Sequence, residues 1–430
     1  MSLPDEPARE IRPLRRPPDA RVPIPGAKSL TNRALVVAAL AAGRTRLSNV
    51  LLSDDTLVMV EALRRLGVGV EVDRAAQAMC IDGCGGELSV RGAVLDARGA
   101  GTVARFLTAV VALGSGRFVI DGSLRMRQRP IQDLVDALNA LGAHARAPSG
   151  CPPVVVEACG LRGGRAVVRG EVSSQFLSGL LLAAPYAQTD VELVVDGALV
   201  GAPYVEMTLA VMAAFGVAVE RDDLRRFRVL AGQRYRARDY VVEPDASSAA
   251  YFFAAAAVTG GRVEVPGLTA GSVQGDARFV DVLEQMGCRA TRSAGALAVE
   301  GPAVLRAVDV DLAAMSDQTM TLAALAPFAD GATRIRGVAH IRHQESDRLA
   351  ATAAELRRLG QDVEEFADGL RVSPQPVRPV TVATYDDHRM AMAFALVGLR
   401  VPGIRIAGPG CVSKTFPDFF DRLELLRAAG

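Results

Sequence analysis

Three polar side chains stand at the start of a strongly apolar stretch, PGAKSLTNRALVVAAL. Lys28 and Ser29 fall where a helix would begin, and Arg33 follows about one turn later. The free N–H groups and the positive dipole end of a helix N-terminus attract anions. A cation, a hydroxyl and a guanidinium at this spacing can hold one phosphate or carboxylate. The alternative is that Ser29 only caps the helix and both cations are solvated.

Five further apolar stretches also begin with polar or glycine residues. In RGAGTVARFLTAVVAL, Gly99 and Gly101 would let a ligand approach the backbone closely. The other four are GEVSSQFLSGLLLAAP, EPDASSAAYFFAAAA, AAMSDQTMTLAALA and TYDDHRMAMAFALVG. Polar side chains at these starts include Ser173, Ser174, Gln175, Asp317 and Arg389. Helix capping selects Ser, Thr, Asp and Asn but not Lys, Arg or Gln, so capping alone does not explain the pattern.

Three clusters outside these starts carry more charge. They are LRMRQRPI with Arg129, HIRHQESDRLAA with Glu345 and Arg348, and CVSKTFPDFF with Lys414. If the helices of a domain are parallel, their N-termini meet on one face. Two such faces opposed across a hinge predict a cleft of high positive potential for small, multiply anionic substrates.

Composition excludes several classes of function. A net charge of +1 and the absence of Trp argue against a nucleic-acid partner. No apolar run reaches about 18 residues, so we expect no membrane span. Cys80 and Cys84 lack a second Cys or His pair, so we expect six free thiols and no metal. The polar segment from Met1 to Arg21 is unlike a signal peptide, which predicts a cytoplasmic protein.

The elements that must place these residues recur along the chain. An amphipathic helix ends in glycine six times, at intervals of 70 to 75 residues. A second helix, apolar all round and therefore buried, recurs at intervals of 70 to 73 residues. The terminating glycines are Gly67, Gly142, Gly216, Gly287, Gly360 and Gly430, and the buried helices begin near Ser29, Gly101, Ser173, Ala246, Ser316 and Asp387.

Between the helices lie β-branched runs that predict strands, so the chain contains six α/β units of about 72 residues. We expect two three-repeat domains, one of residues 26–243 and one of residues 1–25 and 244–430. A stacked solenoid is the structural alternative.

Two functional alternatives follow from the same residues. GAGTVA nearly matches a dinucleotide-binding fingerprint through Gly99, Gly101 and Ala104, as in an oxidoreductase, but it leaves the other helix starts unexplained. The other is a repeat protein without catalytic activity. Neither a Walker A loop nor a GxSxG elbow is present in the sequence.

The ordered motifs resemble those of the EPSP synthase family of enolpyruvyl transferases. They are PGAKSLTNRA, GAGT, RQRPI, SSQF, APY, DASSA, ESDRL, YDDHRMAM and KTFPD, and they span the chain from about Pro25 to Asp418. The resemblance implies a two-domain inside-out α/β barrel of six repeats with a hinged cleft, in which the N-terminal strand joins the C-terminal half. It also implies a monomeric transferase of the shikimate pathway of aromatic amino-acid biosynthesis, a target of glyphosate.

By this resemblance the enzyme transfers the enolpyruvyl group of phosphoenolpyruvate to the 5-hydroxyl of shikimate 3-phosphate, without metal or organic cofactor. Asp317, Glu345 and Lys28 would serve acid–base catalysis. Shikimate 3-phosphate would be held by Lys28, Ser29, Arg33, Ser173, Ser174, Gln175, Tyr204, Asp317 and Gln344. Phosphoenolpyruvate would be held by Lys28, Gly101, Arg129, Gln175, Arg348, Arg389 and Lys414.

The sequence departs from the family pattern at Gly99, Gly201 and Gln344, where Asn, Ser and Lys are common, and each departure removes a polar contact. The nearest rival, UDP-N-acetylglucosamine enolpyruvyl transferase, has a cysteine five residues before its Arg-Pro. Leu124 occupies that position here, which favours the EPSP synthase family.

Overall fold

The computed structural model describes residues 7–428, so Gly430 and the residues before Pro7 lie outside its description. The chain divides into two compact units. One comprises residues 26–242, and the other comprises the chain up to Pro25 together with the chain from Glu243 onward.

The described residues form twelve α-helices, twenty-three strands and several short 3-10 turns. The helices are α1 Lys28–Leu40, α2 Asp54–Arg65, α3 Gly101–Val111, α4 Gln132–Ala140, α5 Ser174–Ala183, α6 Ala202–Ala214, α7 Ala246–Thr259, α8 Phe279–Gln285, α9 Thr319–Leu325, α10 Arg348–Arg358, α11 His388–Gly398 and α12 Phe419–Ala428. Strands β1 to β12 are Arg9–Glu10, Asp19–Arg21, Ala42–Ser48, Gly69–Asp73, Ala78–Cys84, Gly92–Asp96, Ser115–Asp121, Ala145–Arg146, Val154–Cys159, Gly164–Arg169, Val191–Asp196 and Glu220–Asp222. Strands β13 to β23 are Arg226–Val229, Asp239–Val241, Arg262–Pro266, Arg289–Arg292, Ala296–Glu300, Asp309–Asp311, Thr333–Arg336, Asp362–Phe366, Gly369–Ser373, Thr381–Val382 and Arg405–Ile406.

Six small sheets repeat one pairing pattern, which confirms the six α/β units predicted from the sequence. In the unit of residues 26–242 the strand orders are β14-β3-β5-β4, β6-β7-β9-β8 and β10-β11-β13-β12. In the other unit they are β16-β17-β15-β2, β18-β19-β21-β20 and the three-stranded β1-β23-β22. In every sheet one inner strand pairs parallel with one neighbour and antiparallel with the other.

The two N-terminal strands pair far along the chain. Arg9 of β1 lies opposite Ile406 of β23, and Ala20 of β2 lies opposite Val263 of β15. Each N-terminal strand therefore completes a sheet whose other strands come from the second half of the sequence.

One buried helix per repeat forms the core of each unit. Helices α3 and α5 pack together in the unit of residues 26–242, and α7, α9 and α11 pack together in the other. Every residue of α3 and α11 is buried, as an all-round apolar helix requires. Five of the six expected helix starts lie within one residue of the observed ones.

The fifth start is a correction. A helix beginning at Ser316 was expected, but the α-helix begins at Thr319 after a 3-10 turn over Ala313–Gln318. Met315 breaks the helical path with a φ of −142°. The Ser316 hydroxyl lies 2.9 Å from the Nε2 atom of His340. Asp317 therefore sits in a turn before the helix rather than within its first turn.

The predicted C-terminal glycines adopt the left-handed conformation. Gly67, Gly142, Gly216, Gly287 and Gly360 have φ values between +85° and +95°. In the repeats of Gly216, Gly287 and Gly360, the N–H of an arginine 18 to 20 residues further on donates to the carbonyl just before the glycine, over 2.9 Å. In these three successive repeats, the same backbone hydrogen bond thus joins the end of the helix to a segment that follows the next two strands.

Across residues 7–428, no helix combines the length and apolarity needed to cross a membrane.

We expect Gly287→Ala to lower the free energy of unfolding by about 1–2 kcal/mol, because an alanine pays that much to adopt a positive φ. An added β-carbon would meet no atom nearer than 3.7 Å, so backbone strain is the only cost. Urea titration measures the effect. Gly295→Ala is the matched control, because Gly295 has no positive φ and open space around it. Equal midpoints for the two variants would contradict this account.

Candidate active site

Arg33 joins three helices in the unit of residues 26–242. Its side chain is 1% exposed, and its Nε atom donates to the Thr208 hydroxyl of α6 over 2.7 Å. Its Nη atoms donate to the carbonyls of Ser29 and Tyr204, both over 2.9 Å, and weakly to the Ser178 hydroxyl of α5 over 3.4 Å. Burial lowers the pKa of Arg33 to about 10, so the guanidinium stays charged at neutral pH. The N-terminal ends of α1, α5 and α6 are thereby held together.

A fourth helix start, that of α3, is fixed to the same group. The amide of Asn32 donates to the Thr102 hydroxyl over 2.8 Å, which joins α1 to α3. A β-carbon on Gly101 would lie 2.8 Å from Nη2 of Arg129 and 3.0 Å from Oε1 of Gln175. These two side chains therefore lie close to the backbone at the start of α3, and a larger residue at position 101 would have to displace them.

The start of α5 carries the serine pair. Ser173 caps the helix by accepting a hydrogen bond from the N–H of Gln175 over 3.2 Å. Gln175 also presents a buried Oε1 atom without a hydrogen-bond partner, beside Arg129 and Gly101. A buried amide oxygen without a donor is costly, which fits an atom that meets a ligand.

Gly201 explains one departure from the family pattern. It precedes α6 with a φ of +61°, and a β-carbon there would lie 3.0 Å from the Ser174 hydroxyl and 3.2 Å from the Tyr204 ring. A serine at this position would be strained and crowded in this chain. Glycine therefore leaves the Ser174 hydroxyl and the Tyr204 ring undisturbed.

Lys28 has a carboxylate neighbour that the sequence did not suggest. Its ammonium lies 3.4 Å from Asp55 in the first turn of α2, with side chains 15% and 6% exposed. This ion pair orients the Lys28 ammonium toward the start of α2. The sequence signal, an Asp-Asp pair after Ser53, reads as ordinary helix capping and carries no sign of this contact.

Arg348 is the centre of the second cluster, in the other unit. Its side chain is 2% exposed and contacts three carboxylates: Nη1 lies 2.9 Å from Asp317, Nη2 lies 2.9 Å from Glu345 and Nε lies 2.8 Å from Asp387. Gln344 accepts a further bond from Nη1. Burial lowers the pKa of Arg348, but the three carboxylates raise it by more, so the pKa lies above the ordinary range.

Asp317 is shared between two arginines. Its second oxygen accepts a hydrogen bond from Nη2 of Arg389 over 2.6 Å. Asp387 caps α11, accepting from the N–H of Arg389 over 3.0 Å, and also accepts from the Ser346 hydroxyl over 3.0 Å. The structure therefore brings Asp317, Gln344, Glu345, Arg348 and Arg389 together. Lys414 is half-buried at the end of the turn Pro409–Lys414.

Carboxylates offset the charge of the arginines in this cluster. Three carboxylates (Asp317, Glu345 and Asp387) contact two guanidiniums (Arg348 and Arg389), so the five side chains carry a formal charge of −1. A run of arginines in sequence does not reveal the carboxylates that fold against them. Potential here is set by the pairs rather than by the arginines alone.

Asp276 is a titratable residue that the sequence reasoning missed. It is 6% exposed, and it accepts hydrogen bonds from the Ser247 hydroxyl and, over 2.9 Å, from the Gln318 amide. Burial first, and the neighbouring charge of Asp317 second, raise the pKa of Asp276 to about 6, while Arg389 opposes the shift. The protonation of Asp276 therefore depends on the charge of Asp317, the proposed acid–base group.

All six cysteines are free. Within the part of the chain that the structure describes, no three His, Cys, Asp or Glu side chains are grouped so that they could hold a metal ion.

We expect the stabilising effect of Asp276→Asn, relative to the parent, to grow as pH rises from 4 to 7. A carboxyl whose pKa is raised on folding contributes stability below its unfolded pKa of about 4, and this contribution is lost as pH rises through the folded pKa of about 6. Melting temperatures of parent and variant across this pH range measure the effect. Hydrogen bonds that the variant loses lower its melting temperature by the same amount at every pH, so only the titration of Asp276 makes the difference depend on pH. The exposed Asp362→Asn is the control. A difference in melting temperature that does not vary with pH would rule out the raised pKa.

The sequence of this chain matches known proteins over most of its length. Residues 15–423 match the family model of EPSP synthase (3-phosphoshikimate 1-carboxyvinyltransferase). A 3-phosphoshikimate 1-carboxyvinyltransferase of Nostoc sp. is 49% identical over 414 residues, which cover 96% of this chain and 97% of that protein. One of Methanoculleus marisnigri is 45% identical over 410 residues, which cover 95% and 96%.

A solved EPSP synthase of Acinetobacter baumannii superimposes with a TM-score of 0.82 at 26% identity, covering 98% of each chain. This likeness confirms the two-domain inside-out α/β fold predicted from the motifs. The dinucleotide-dependent oxidoreductase, the repeat protein without activity and the UDP-N-acetylglucosamine transferase are set aside. The chain belongs to the EPSP synthase (3-phosphoshikimate 1-carboxyvinyltransferase) family.

Proposed function

We propose that the joined helix starts of residues 26–242 bind shikimate 3-phosphate in the enolpyruvyl transfer of this family. Four helix N-termini, held by Arg33, Asn32 and the approach at Gly101, supply N–H groups and positive dipole ends. The assigned contacts within this unit are Lys28, Ser29, Arg33, Ser173, Ser174, Gln175 and Tyr204. Arg33 already bonds four protein groups, so its larger contribution is to hold Ser29 and Tyr204 in place.

Phosphoenolpyruvate is assigned to the guanidiniums of Arg129, Arg348 and Arg389 and the ammonium of Lys414, with Lys28, Gly101 and Gln175. Arg forks bind carboxylate and phosphate oxygens through paired hydrogen bonds, which suits a donor that carries both groups. Gly101 supports this assignment, because a β-carbon there would lie 2.8 Å from Arg129 and 3.0 Å from Gln175. Glyphosate, with a carboxylate and a phosphonate, would compete for the same groups.

Asp317 and Glu345 are the assigned acid–base groups, with Lys28 assisting and Gln344 beside them. The 5-hydroxyl oxygen bonds to the central carbon of phosphoenolpyruvate and gives its proton to one group, while the methylene carbon takes a proton from another. The tetrahedral intermediate then expels phosphate and returns a methyl proton. Arginines around the leaving phosphate stabilise the charge that develops on it.

Before phosphoenolpyruvate binds, Arg348 is paired with the carboxylates around it. The five donors of Arg348 face Asp317, Gln344, Glu345 and both oxygens of Asp387. A phosphoenolpyruvate anion that binds Arg348 must therefore displace Gln344 or one of the carboxylates. If Asp317 or Glu345 is displaced, it loses a cationic partner and its affinity for a proton rises. By that route, binding of phosphoenolpyruvate would activate the groups that move protons.

The observation that carries the proposal is the contact of both assigned carboxylates with one buried arginine, Arg348. We propose that the enzyme acts as a monomer.

The test is phosphate release from phosphoenolpyruvate and shikimate 3-phosphate by the parent and by Glu345→Gln and Asp317→Asn. We expect kcat to fall about 10²–10⁴-fold in each variant, as for general acid–base groups. The KM for phosphoenolpyruvate should stay level or fall for Glu345→Gln, because one competitor for Arg348 is gone. Glu364→Gln, whose partner is Arg371 on the surface, is the matched control. Near-parent turnover in both variants would sink the assignment, and no phosphate release by the parent would sink the function.

A further inference from the structure

Glu355 is a buried carboxylate outside the groups assigned above. It lies on α10 seven residues after Arg348, so both residues share one face of the helix. Its side chain is 1% exposed. Its Oε1 atom accepts a hydrogen bond from the Tyr385 hydroxyl over 2.9 Å, and its Oε2 atom accepts from the N–H of Ala383 over 3.0 Å. Arg358 balances its charge, with Nη1 at 2.6 Å.

The segment that Glu355 holds is strained. Thr384 and Asp387 close a tight turn, with the N–H of Asp387 donating to the carbonyl of Thr384 over 2.8 Å. The two central residues, Tyr385 and Asp386, both have a φ of +55°. Neither is glycine, so each adopts a backbone conformation that L-residues disfavour. Such a turn persists only where its surroundings hold it.

Tyr385 is fixed by its phenol. The Tyr385 side chain is 46% exposed, but partial burial of its hydroxyl and then the hydrogen bond to Glu355 raise its pKa, so the hydroxyl keeps its proton and donates. On the other side of the turn, the Thr384 hydroxyl donates to the carbonyl of Ala407 over 2.9 Å. The turn is therefore held by two hydrogen bonds, one to Glu355 and one to the carbonyl of Ala407 after β23.

The strained turn ends on Asp387. This residue is fully buried, caps α11 at the N–H of Arg389 and accepts from Nε of Arg348. Helix α10 therefore touches the segment 383–389 twice: Arg348 in its first turn meets Asp387, and Glu355 two turns later meets Ala383 and Tyr385. These two attachments fix where Asp387 stands, and Asp387 in turn orients Arg348 and the start of α11.

We propose that Glu355 is a positioning residue for the donor arginines, acting through the Thr384–Asp387 turn on Asp387, Arg348 and Arg389. This inference rests on the proposed function, because it takes these arginines to bind phosphoenolpyruvate. Glu355 touches no group assigned to the acceptor, but Arg348 and Arg389 contact Asp317, which is assigned to it. Loss of Glu355 should therefore weaken use of the donor more than use of the acceptor.

The experiment compares steady-state phosphate release by the parent, Glu355→Gln and Tyr385→Phe. We expect Glu355→Gln to raise the KM for phosphoenolpyruvate about tenfold, because its amide cannot accept from all three donors. Tyr385→Phe removes one hydrogen bond and should act in the same direction but less. The KM for shikimate 3-phosphate should change less than about twofold in both, within the spread of variants that leave a site untouched. Glu364→Gln, an exposed glutamate paired with Arg371, should match the parent.

A second substitution separates positioning from general loss of stability. Glycine adopts a positive φ without strain, so Asp386→Gly added to Glu355→Gln should recover part of the lost affinity for the donor. Equal rises in both KM values, or a lower melting temperature with both KM values unchanged, would overturn the inference. If Glu355→Gln does not fold, Tyr385→Phe carries the test. A parent without phosphate release would refute the proposed function instead.

Discussion

The structure depends on burying the guanidinium of Arg348 among Asp317, Glu345 and Asp387. A charge at 2% exposure is tolerated only because each of its donors has an oxygen partner. Removing any one carboxylate leaves part of that charge unpaired. This requirement fixes the turn before α9, the start of α10 and the turn before α11 relative to one another, since each supplies one partner.

The other unit meets a similar requirement with Arg33, although its partners are neutral. Hydroxyls and carbonyls from α1, α5 and α6 surround this guanidinium, and burial lowers its pKa without a carboxylate to raise it. One buried arginine in each unit thus joins helix starts from several repeats. The repeats build similar scaffolds, but the partners of the buried arginine differ: Arg33 has hydroxyls and carbonyls, and Arg348 has carboxylates.

The sequence predicted the scaffold well because its signals are local. Glycine after an amphipathic helix, as at Gly360, and an all-round apolar helix, as in α11, each determine structure over a few residues. The start of α9 was missed because His340, distant in sequence, holds Ser316. Asp276, Asp55 and Glu355 were missed because their partners lie far along the chain or in strained turns. The sequence pointed to the residues around Lys28 and Arg348 but not to their ion pairs with Asp55 and Asp387, since ion pairing is a property of the fold.

The most direct test of this account is the kcat/KM for phosphoenolpyruvate of Arg348→Lys, measured by phosphate release alongside the melting temperature. Lysine keeps the positive charge but cannot reach three carboxylates and a donor anion at once. Losing one or two charge-assisted hydrogen bonds predicts a fall of about 10²–10⁴-fold in a variant that still folds. A folded Arg348→Lys enzyme with kcat/KM within a few-fold of the parent would contradict the central place given to this guanidinium.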